Sequence, residues 1–317
     1  MMPDSLRCEH TRDAYGETLV ELGKKDPRIV VLDADTSLST KTDGFARAFP
    51  ERFFNVGIAE QNMVNIAAGL ARGGKIPFVS TFSMFGCGRA WEQIRNTVAL
   101  DGLNVKLVMT HAGFSLGGDG STHQSLEDVA IMRVIPRMHV IIPADVPETR
   151  AVVRYAAGYR GPVYIRLSRR RTLIVNPEEY GVFRPDLYPV LREGHDVTLL
   201  TNGCMIRESL MAASALEKEG ISTRVVNMHT VKPLAGPEIV RAARETGRIV
   251  TVEEHSVIGG IGSAVAEFLA ERYPVPMRLI GVHDSFGGSG LVEELYRQYG
   301  ISQDAIARSV RDMISAG

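Results

Sequence analysis

Phe53-Phe54-Asn55-Val56-Gly57-Ile58-Ala59-Glu60-Gln61-Asn62-Met63 is a short apolar segment that runs through a glycine into a helix. From Met63 onward, Ile66, Ala67 and Leu70 recur at helical spacing, and Gly73-Gly74 offers a C-cap. Glu60 lies in the first turn, three residues before Met63, and so projects from the stripe that faces the core. An acid in that turn complements the helix dipole. An acid facing inward also needs a partner. On this segment alone both readings stand.

Outward from it, apolar strands alternate with helices. An amphipathic helix over residues 12–24, with Leu19 and Leu22 among its apolar positions, precedes the strand Arg28–Leu32, which ends at Asp33-Ala34-Asp35. Further strands are expected over 76–81, 105–110, 138–142 and 163–167, with helices over 89–100 and 125–135. Continuous apolar strands between helices predict a parallel sheet covered on both faces. Such sheets place their sites beyond the strands' C-terminal ends, where polar and glycine-rich residues follow here. The pattern breaks at Asn176-Pro177, Arg184-Pro185 and Tyr188-Pro189, then resumes with strands at 197–201, 223–228, 249–253 and 277–282. Helices are expected over 205–220, from near Gly262-Ser263, and over 303–314 with Ser302 as cap. The reading is two consecutive doubly wound, mostly parallel α/β domains, 1–172 and 194–317, joined by a linker over 173–193.

Composition narrows the class. The 317 residues suffice for about two full-sized cores. Thirty-six basic residues nearly balance 37 acidic ones, so no global field favours nucleic acid or a membrane. No apolar run reaches a membrane span, and Met1-Met2-Pro3-Asp4-Ser5 lacks the apolar core of a signal peptide. Cys8, Cys87 and Cys204 are too scattered for a metal site and too few for a disulfide framework. A cytoplasmic protein is expected.

The chemistry gathers at strand ends. Phe82 and Phe85 are three residues apart where one strand closes, spaced either to anchor the next helix or to wall a pocket for a flat heterocycle. His111 ends the next strand, and the loop Gly113 to Gln124 adds Asp119 and His123. Imidazoles exchange protons near neutral pH and bond sugar oxygens. A metal site is the weaker reading, because the two histidines lack a third soft ligand nearby. Gly118-Asp119-Gly120 is not followed by the asparagine of a diphosphate-metal motif. Arg169-Arg170-Arg171 closes the last strand of the first unit; such runs are commonly solvated, but one guanidinium there can fork onto a phosphate. Arg12 and Ser39 are further anion-binding candidates.

Together these segments resemble transketolase, a family dependent on thiamine diphosphate. The resemblance rests on Gly57-Ile58-Ala59-Glu60-Gln61, Thr81-Phe82 with Phe85, Asp119-Gly120-Ser121-Thr122-His123-Gln124 and Leu167-Ser168-Arg169, in order and at matching spacing. Val252-Glu253-Glu254-His255, Gly259-Gly260-Ile261-Gly262 and Asp284-Ser285-Phe286-Gly287-Gly288-Ser289-Gly290 extend it through the second unit. It matches only the latter half of a full-length member, the pyrimidine-binding and C-terminal domains. The resemblance therefore implies one subunit of a split transketolase. A partner chain would supply the diphosphate-binding domain and the Mg2+, Ca2+ or Mn2+ site, the pair doubling to an α2β2 heterotetramer.

It also implies roles. Glu60 corresponds to the acid that bonds the aminopyrimidine ring nitrogen, where a carboxyl can exchange a proton and glutamine cannot. Phe82 and Phe85 correspond to the aromatic wall, with Gly88 where a third aromatic is common, and Asp35 to a position near the cofactor. Asp119 and His123 correspond to residues contacting ketose hydroxyls and the bound intermediate. His111, Arg169, Ser39 and Arg12 correspond to the sugar-phosphate site, and Arg170 stands where glutamine is common. The implied activity is transfer of a two-carbon ketol unit from a ketose phosphate to an aldose phosphate. Rivals are the β subunit of a 2-oxo-acid dehydrogenase and a deoxyxylulose-phosphate synthase. A more distant one is a nucleotide-binding regulatory module, suggested by Gly259-Gly260-Ile261-Gly262. From the second domain only a structural role at an interface is expected.

Overall fold

The computed structural model describes residues 7–316, so the segment Met1–Ser5 read above for a signal peptide lies outside the described residues. A seven-stranded sheet runs in the order Thr230–Lys232, His139–Ile141, Val163–Arg166, Lys106–Thr110, Ile76–Phe82, Ile29–Asp33, Phe53–Asn55. All its pairings are parallel except that of the Thr230–Lys232 edge. Its central strands are buried along nearly their whole length because helices cover both faces. Helices Thr11–Lys25 and Val146–Gly158 pack on one face through Tyr15, Leu19 and Val152. Helix Glu60–Arg72 and the segment 84–99 pack on the other through Met63, Ala67 and Ile94.

The second sheet runs Met277–Val282, Ile249–Ser256, Val197–Thr201, Thr223–Asn227, Val190–Arg192, parallel but for the last strand. Helices Met205–Glu217 and Gln303–Ser315 cover one face, through Ala213, Leu216, Ile306 and Val310. Helices Gly236–Thr246 and Ile261–Arg272 join the apolar core of the first sheet through Ile239, Ala243 and Val265.

The second unit lends one edge strand to the first. Thr230–Lys232 comes from the second yet pairs with His139–Ile141 of the first. Val190–Arg192, inside the expected linker, pairs with Thr223–Asn227. The rest of 173–193 is also tied down: Asp145 Oδ2 accepts the N–H groups of Val175 and Asn176 at 2.8 Å, and Tyr180 donates to Glu148 Oε1 at 2.7 Å. Prolines and turns hid this because long-range polar partners leave no periodicity.

Other elements shift for identifiable reasons. The helix expected over 89–100 starts at Met84 and contains two π-helical stretches, Met84–Arg89 and Ile94–Ala99, around Trp91–Gln93. The helix expected over 125–135 contracts to Asp128–Arg133 because Gln124 and Ser125 serve the preceding loop. Ser302 stands at the start of the last helix without a side-chain cap; Glu208 Oε2 accepts the Gln303 N–H instead, at 3.0 Å.

The turn Gly259-Gly260-Ile261-Gly262 is filled by the protein itself. Glu253 accepts the N–H groups of Ile261 and Gly262 at 2.7 and 2.9 Å, occupying the place a phosphate would take at that helix N-terminus. A Cβ on Gly260 would lie 1.9 Å from Glu253 Oε2, so glycine is what lets the carboxylate in. Burial pushes the Glu253 carboxyl up to about 8, although both N–H groups favour its ionised form. Folded chains therefore retain a proton here that unfolded chains release above an ordinary glutamate pKa of 4.5. The site's stabilisation is present at low pH and is lost as pH rises through about 8. Glu253→Gln should remove that dependence. Its melting temperature, measured against the parent, should gain about 2–4 °C between about pH 5 and about pH 9. A pH-independent difference would contradict the assignment.

Candidate active site

The chain leaves Ile29–Asp33 toward one edge of the first sheet and Ile76–Phe82 toward the other. The crevice beyond the C-terminal ends of these adjacent strands is the switch point where such sheets bind ligands. Asp35 and Ser39 follow one strand, Phe82 and Phe85 the other, and Glu60 opens the helix between them.

Glu60 is only 4% exposed, and its partner is Arg89, whose Nη1 lies 3.1 and 3.3 Å from the two carboxylate oxygens. The Arg89 guanidinium also lies 4.2 Å from the Phe85 ring centroid. Sequence reading missed Arg89. The available signal was an inward acid in need of a cation, with an arginine four residues after Phe85 on the adjoining helical segment.

Phe82 and Phe85 are near-parallel, with centroids 6.2 Å apart. Phe82 stacks on His111 at 4.1 Å, and His123 meets Phe85 edge-on at 5.1 Å. The two histidines thus flank the two rings. Gly88 is exposed, and a Cβ there would come no nearer than 3.4 Å to Met84, so the place of a third aromatic is open beside Arg89.

Arg12 Nη1 donates to the Ser39 carbonyl at 3.0 Å and to His111 Nε2 at 3.3 Å. Because a guanidinium can only donate, His111 Nε2 accepts; its proton sits on Nδ1, 2.7 Å from Thr110 Oγ1. Burial, then Arg12 and Arg169, push the His111 pKa down to about 3. Arg169 donates to the Leu116 carbonyl at 3.2 Å and lies 3.5 Å from Asp119 Oδ2. Of the arginine run only Arg169 joins this cluster: Arg170 bonds Glu293 at 2.6 Å, and Arg171 bonds His10 at 3.4 Å. Asp35 sits at the exposed rim with a left-handed backbone, exchanging hydrogen bonds with Asn55 at 3.0 and 3.1 Å. Among the described residues, no group of three or more His, Cys, Asp or Glu side chains is arranged to hold a metal ion.

The pocket suits an aminopyrimidine on internal grounds. Arg89 is a flat, N–H-bearing cation that satisfies the buried Glu60 carboxylate while stacking on Phe85. A protonated aminopyrimidine offers the same combination of edge and face.

Residues 9–173 match the family model "Transketolase, pyrimidine binding domain", and residues 188–306 match "Transketolase, C-terminal domain". The chain is 50% identical over 303 residues to the "Putative transketolase C-terminal section" of Methanocaldococcus jannaschii, covering 95% of each. It is 44% identical to a 6-deoxy-6-sulfo-D-fructose transketolase subunit of Clostridium sp. strain MSTE9, over 95% of this chain and 94% of that one. A solved structure titled "Split gene transketolase, inactive beta4 tetramer" superposes with a TM-score of 0.90 at 51% identity, covering 96% of this chain and 98% of that one. Human transketolase is 40% identical, but the chain spans only 49% of it. The two sheets and the crevice at the switch point define a two-domain α/β protein whose candidate site lies beyond the C-terminal ends of the first sheet's strands. The chain belongs to the transketolase family, which depends on thiamine diphosphate, and it resembles the subunits in which that enzyme is split.

The His111 geometry is open to direct measurement. Nitrogen-15 NMR of the imidazoles should find His111 neutral with its proton on Nδ1 from about pH 8 down to about pH 5, well above its depressed pKa. Protonation near pH 6 would refute the acceptor role of Nε2.

Proposed function

We propose that this chain is the pyrimidine-side subunit of a split transketolase, moving a two-carbon ketol unit from a ketose phosphate to an aldose phosphate. The observation that carries the reading is the buried Glu60 carboxylate, aimed at a planar cation above Phe85. A partner chain contributes the diphosphate-binding domain and the Mg2+, Ca2+ or Mn2+ that anchors the diphosphate, and the two assemble as α2β2. Support for a partner comes from relatives described as a transketolase C-terminal section and a transketolase subunit, matched over 95% and 94% of their own lengths, and from the printed description of the related β4 tetramer as inactive.

Thiamine diphosphate, when bound, supplies the nucleophilic carbon at which the ketose C2–C3 bond is broken and re-formed. Glu60 holds or exchanges the proton on the pyrimidine ring nitrogen, and Phe82 and Phe85 orient the ring. Asp35 stands at the rim of that cofactor site. His123 and Asp119 bond the sugar's hydroxyls. Arg169 and Arg12 neutralise its phosphate, with Ser39 and neutral His111 completing the cradle. Because Arg12 engages the His111 lone pair and the Ser39 carbonyl, its guanidinium is fixed before substrate arrives.

Glu60→Gln should slow turnover at least ~100-fold in the assembled enzyme while leaving assembly intact, as measured by steady-state kinetics beside analytical ultracentrifugation. Near-normal turnover would sink the assigned role. The purified chain alone should show no ketol transfer and bind thiamine diphosphate weakly by calorimetry; full activity without a second polypeptide would refute the split reading. Arg169→Ala should raise KM about tenfold for phosphorylated sugars and much less for their unphosphorylated counterparts. Equal effects on both would remove Arg169 from the phosphate site.

A further inference from the structure

The loop 113–124, which carries Asp119 and His123, rests on the second domain as well as on its own. Ser289 Oγ donates to the Gly118 carbonyl at 2.6 Å, one residue before Asp119. Gln124, one residue after His123, donates to the Gly288 carbonyl at 2.8 Å and back to the loop's own Gly117 carbonyl at 3.2 Å. Phe114, near the start of the loop, stacks on Tyr299 with centroids 4.7 Å apart. Tyr299 in turn donates its hydroxyl to the Phe286 carbonyl at 3.0 Å, closing the second-domain segment upon itself.

Steric fit supports the same pairing. A Cβ on Gly287 would lie 1.9 Å from Gln124 Oε1, and one on Gly117 would lie 3.1 Å from the Gly290 carbonyl. The loop needs external support because its backbone is unusual. Gly113, Gly117 and Gly120 all have positive φ, and Gly117 (φ 59°, ψ −106°) kinks the helical turn. Residues 118, 119, 121 and 122 are exposed, so apolar packing does not fix their position.

We propose that the second-domain segment Gly287–Ser289 is a positioning element for substrate selection, with Ser289 as its adjustable contact. It sets where Asp119 and His123 stand relative to the sugar's hydroxyls. This rests on the functional reading given above. Ser289 touches neither Glu60 nor the aromatic wall; it acts through the Gly118 carbonyl. Loss of its hydroxyl lets the loop shift by a fraction of an ångström, which weakens recognition of a substrate hydroxyl more than it weakens the chemistry at the ketol carbon.

The test compares Ser289→Ala and Ser289→Thr in the complete assembly with its partner subunit. Ser289 is exposed, so neither change should unfold the chain. Hydrogen exchange followed by mass spectrometry should show the amides of 113–124 exchanging about tenfold faster in Ser289→Ala and near the parental rate in Ser289→Thr, with melting temperature unchanged. Unchanged exchange in Ser289→Ala overturns the clamp, whatever the activity. With fructose 6-phosphate as donor, the ratio of kcat/KM for glyceraldehyde over 3-hydroxypropanal, which lacks the 2-hydroxyl, should fall about tenfold in Ser289→Ala and recover in Ser289→Thr. A loosened loop with an unchanged ratio overturns the selection role. Absence of ketol transfer by the parental assembly would refute the proposed function itself, and the clamp would still be decided by the exchange measurement.

Discussion

One buried guanidinium joins the two domains. Arg166, the last residue of its strand and 6% exposed, lies 2.8 Å from Asp128 through Nε, and its Nη2 donates to the Glu254 carbonyl at 2.9 Å. Its Nη1 is 3.8 Å from Glu254 Oε2, so one cation faces two buried acids on different domains. Burial alone would raise both carboxyls. At Asp128 the nearby Arg166 prevails and the pKa falls, whereas at Glu254 burial prevails and the pKa rises. The close ion pair is Arg166–Asp128, and the Glu254 carboxyl stands farther from the guanidinium, at 3.8 Å. Removing one member of such a pair leaves an uncompensated buried charge at a cost of about 3–5 kcal/mol, so the contact constrains both domains more than it stabilises either.

That constraint reaches the site. Tyr164 donates to the same Asp128 oxygen at 2.5 Å, and its hydroxyl lies 3.0 Å from Ser83 Oγ, between Phe82 and Phe85 in sequence. On the other side, Glu254 accepts from Tyr296 at 2.8 Å and from Cys204 at 3.2 Å. A continuous polar chain thus runs from the root of the aromatic wall to the core of the second domain. Phe85 and Arg89 stand on a π-helical turn, a rare geometry with more residues per turn than an α-helix. The network beneath Ser83 fixes it. The second domain, expected only at an interface, contacts the site in two independent ways: below, through Glu254, and beside, through the loop 113–124.

The sequence was most informative where one physical signal dominates. Buried parallel strands are mostly apolar and carry no charge in these two cases, so Ile76–Phe82 or Val197–Thr201 could be placed to within a residue. The candidates Phe82, His111 and Arg169 lie near one another because the topology brings the C-terminal ends of their strands together. What escaped shares a cause. Arg89, the Arg166–Asp128 pair, the pinned segment 173–193 and the edge strand Thr230–Lys232 all depend on partners far away in the chain. A polar contact across 29 or 38 residues imposes no periodicity on either segment. Glu60 was the partial exception, since its inward orientation announced a missing cation without saying which.

The Glu60–Arg89 pair also bears on why half a site is a poor binding site. Arg89 is half exposed while Glu60 is almost fully buried, so the arginine surrenders little on leaving, but the carboxylate must not be left alone. On the reading proposed above, a pyrimidine ring must replace the guanidinium at Glu60 and share the Phe85 face with it. The net gain is then small, because one charged hydrogen bond and one stacked contact are exchanged for another. On that reading the affinity has to come from the diphosphate end, which the proposed partner chain would hold. On that same reading the pocket orients the ring and moves a proton, while a partner holds the molecule in place.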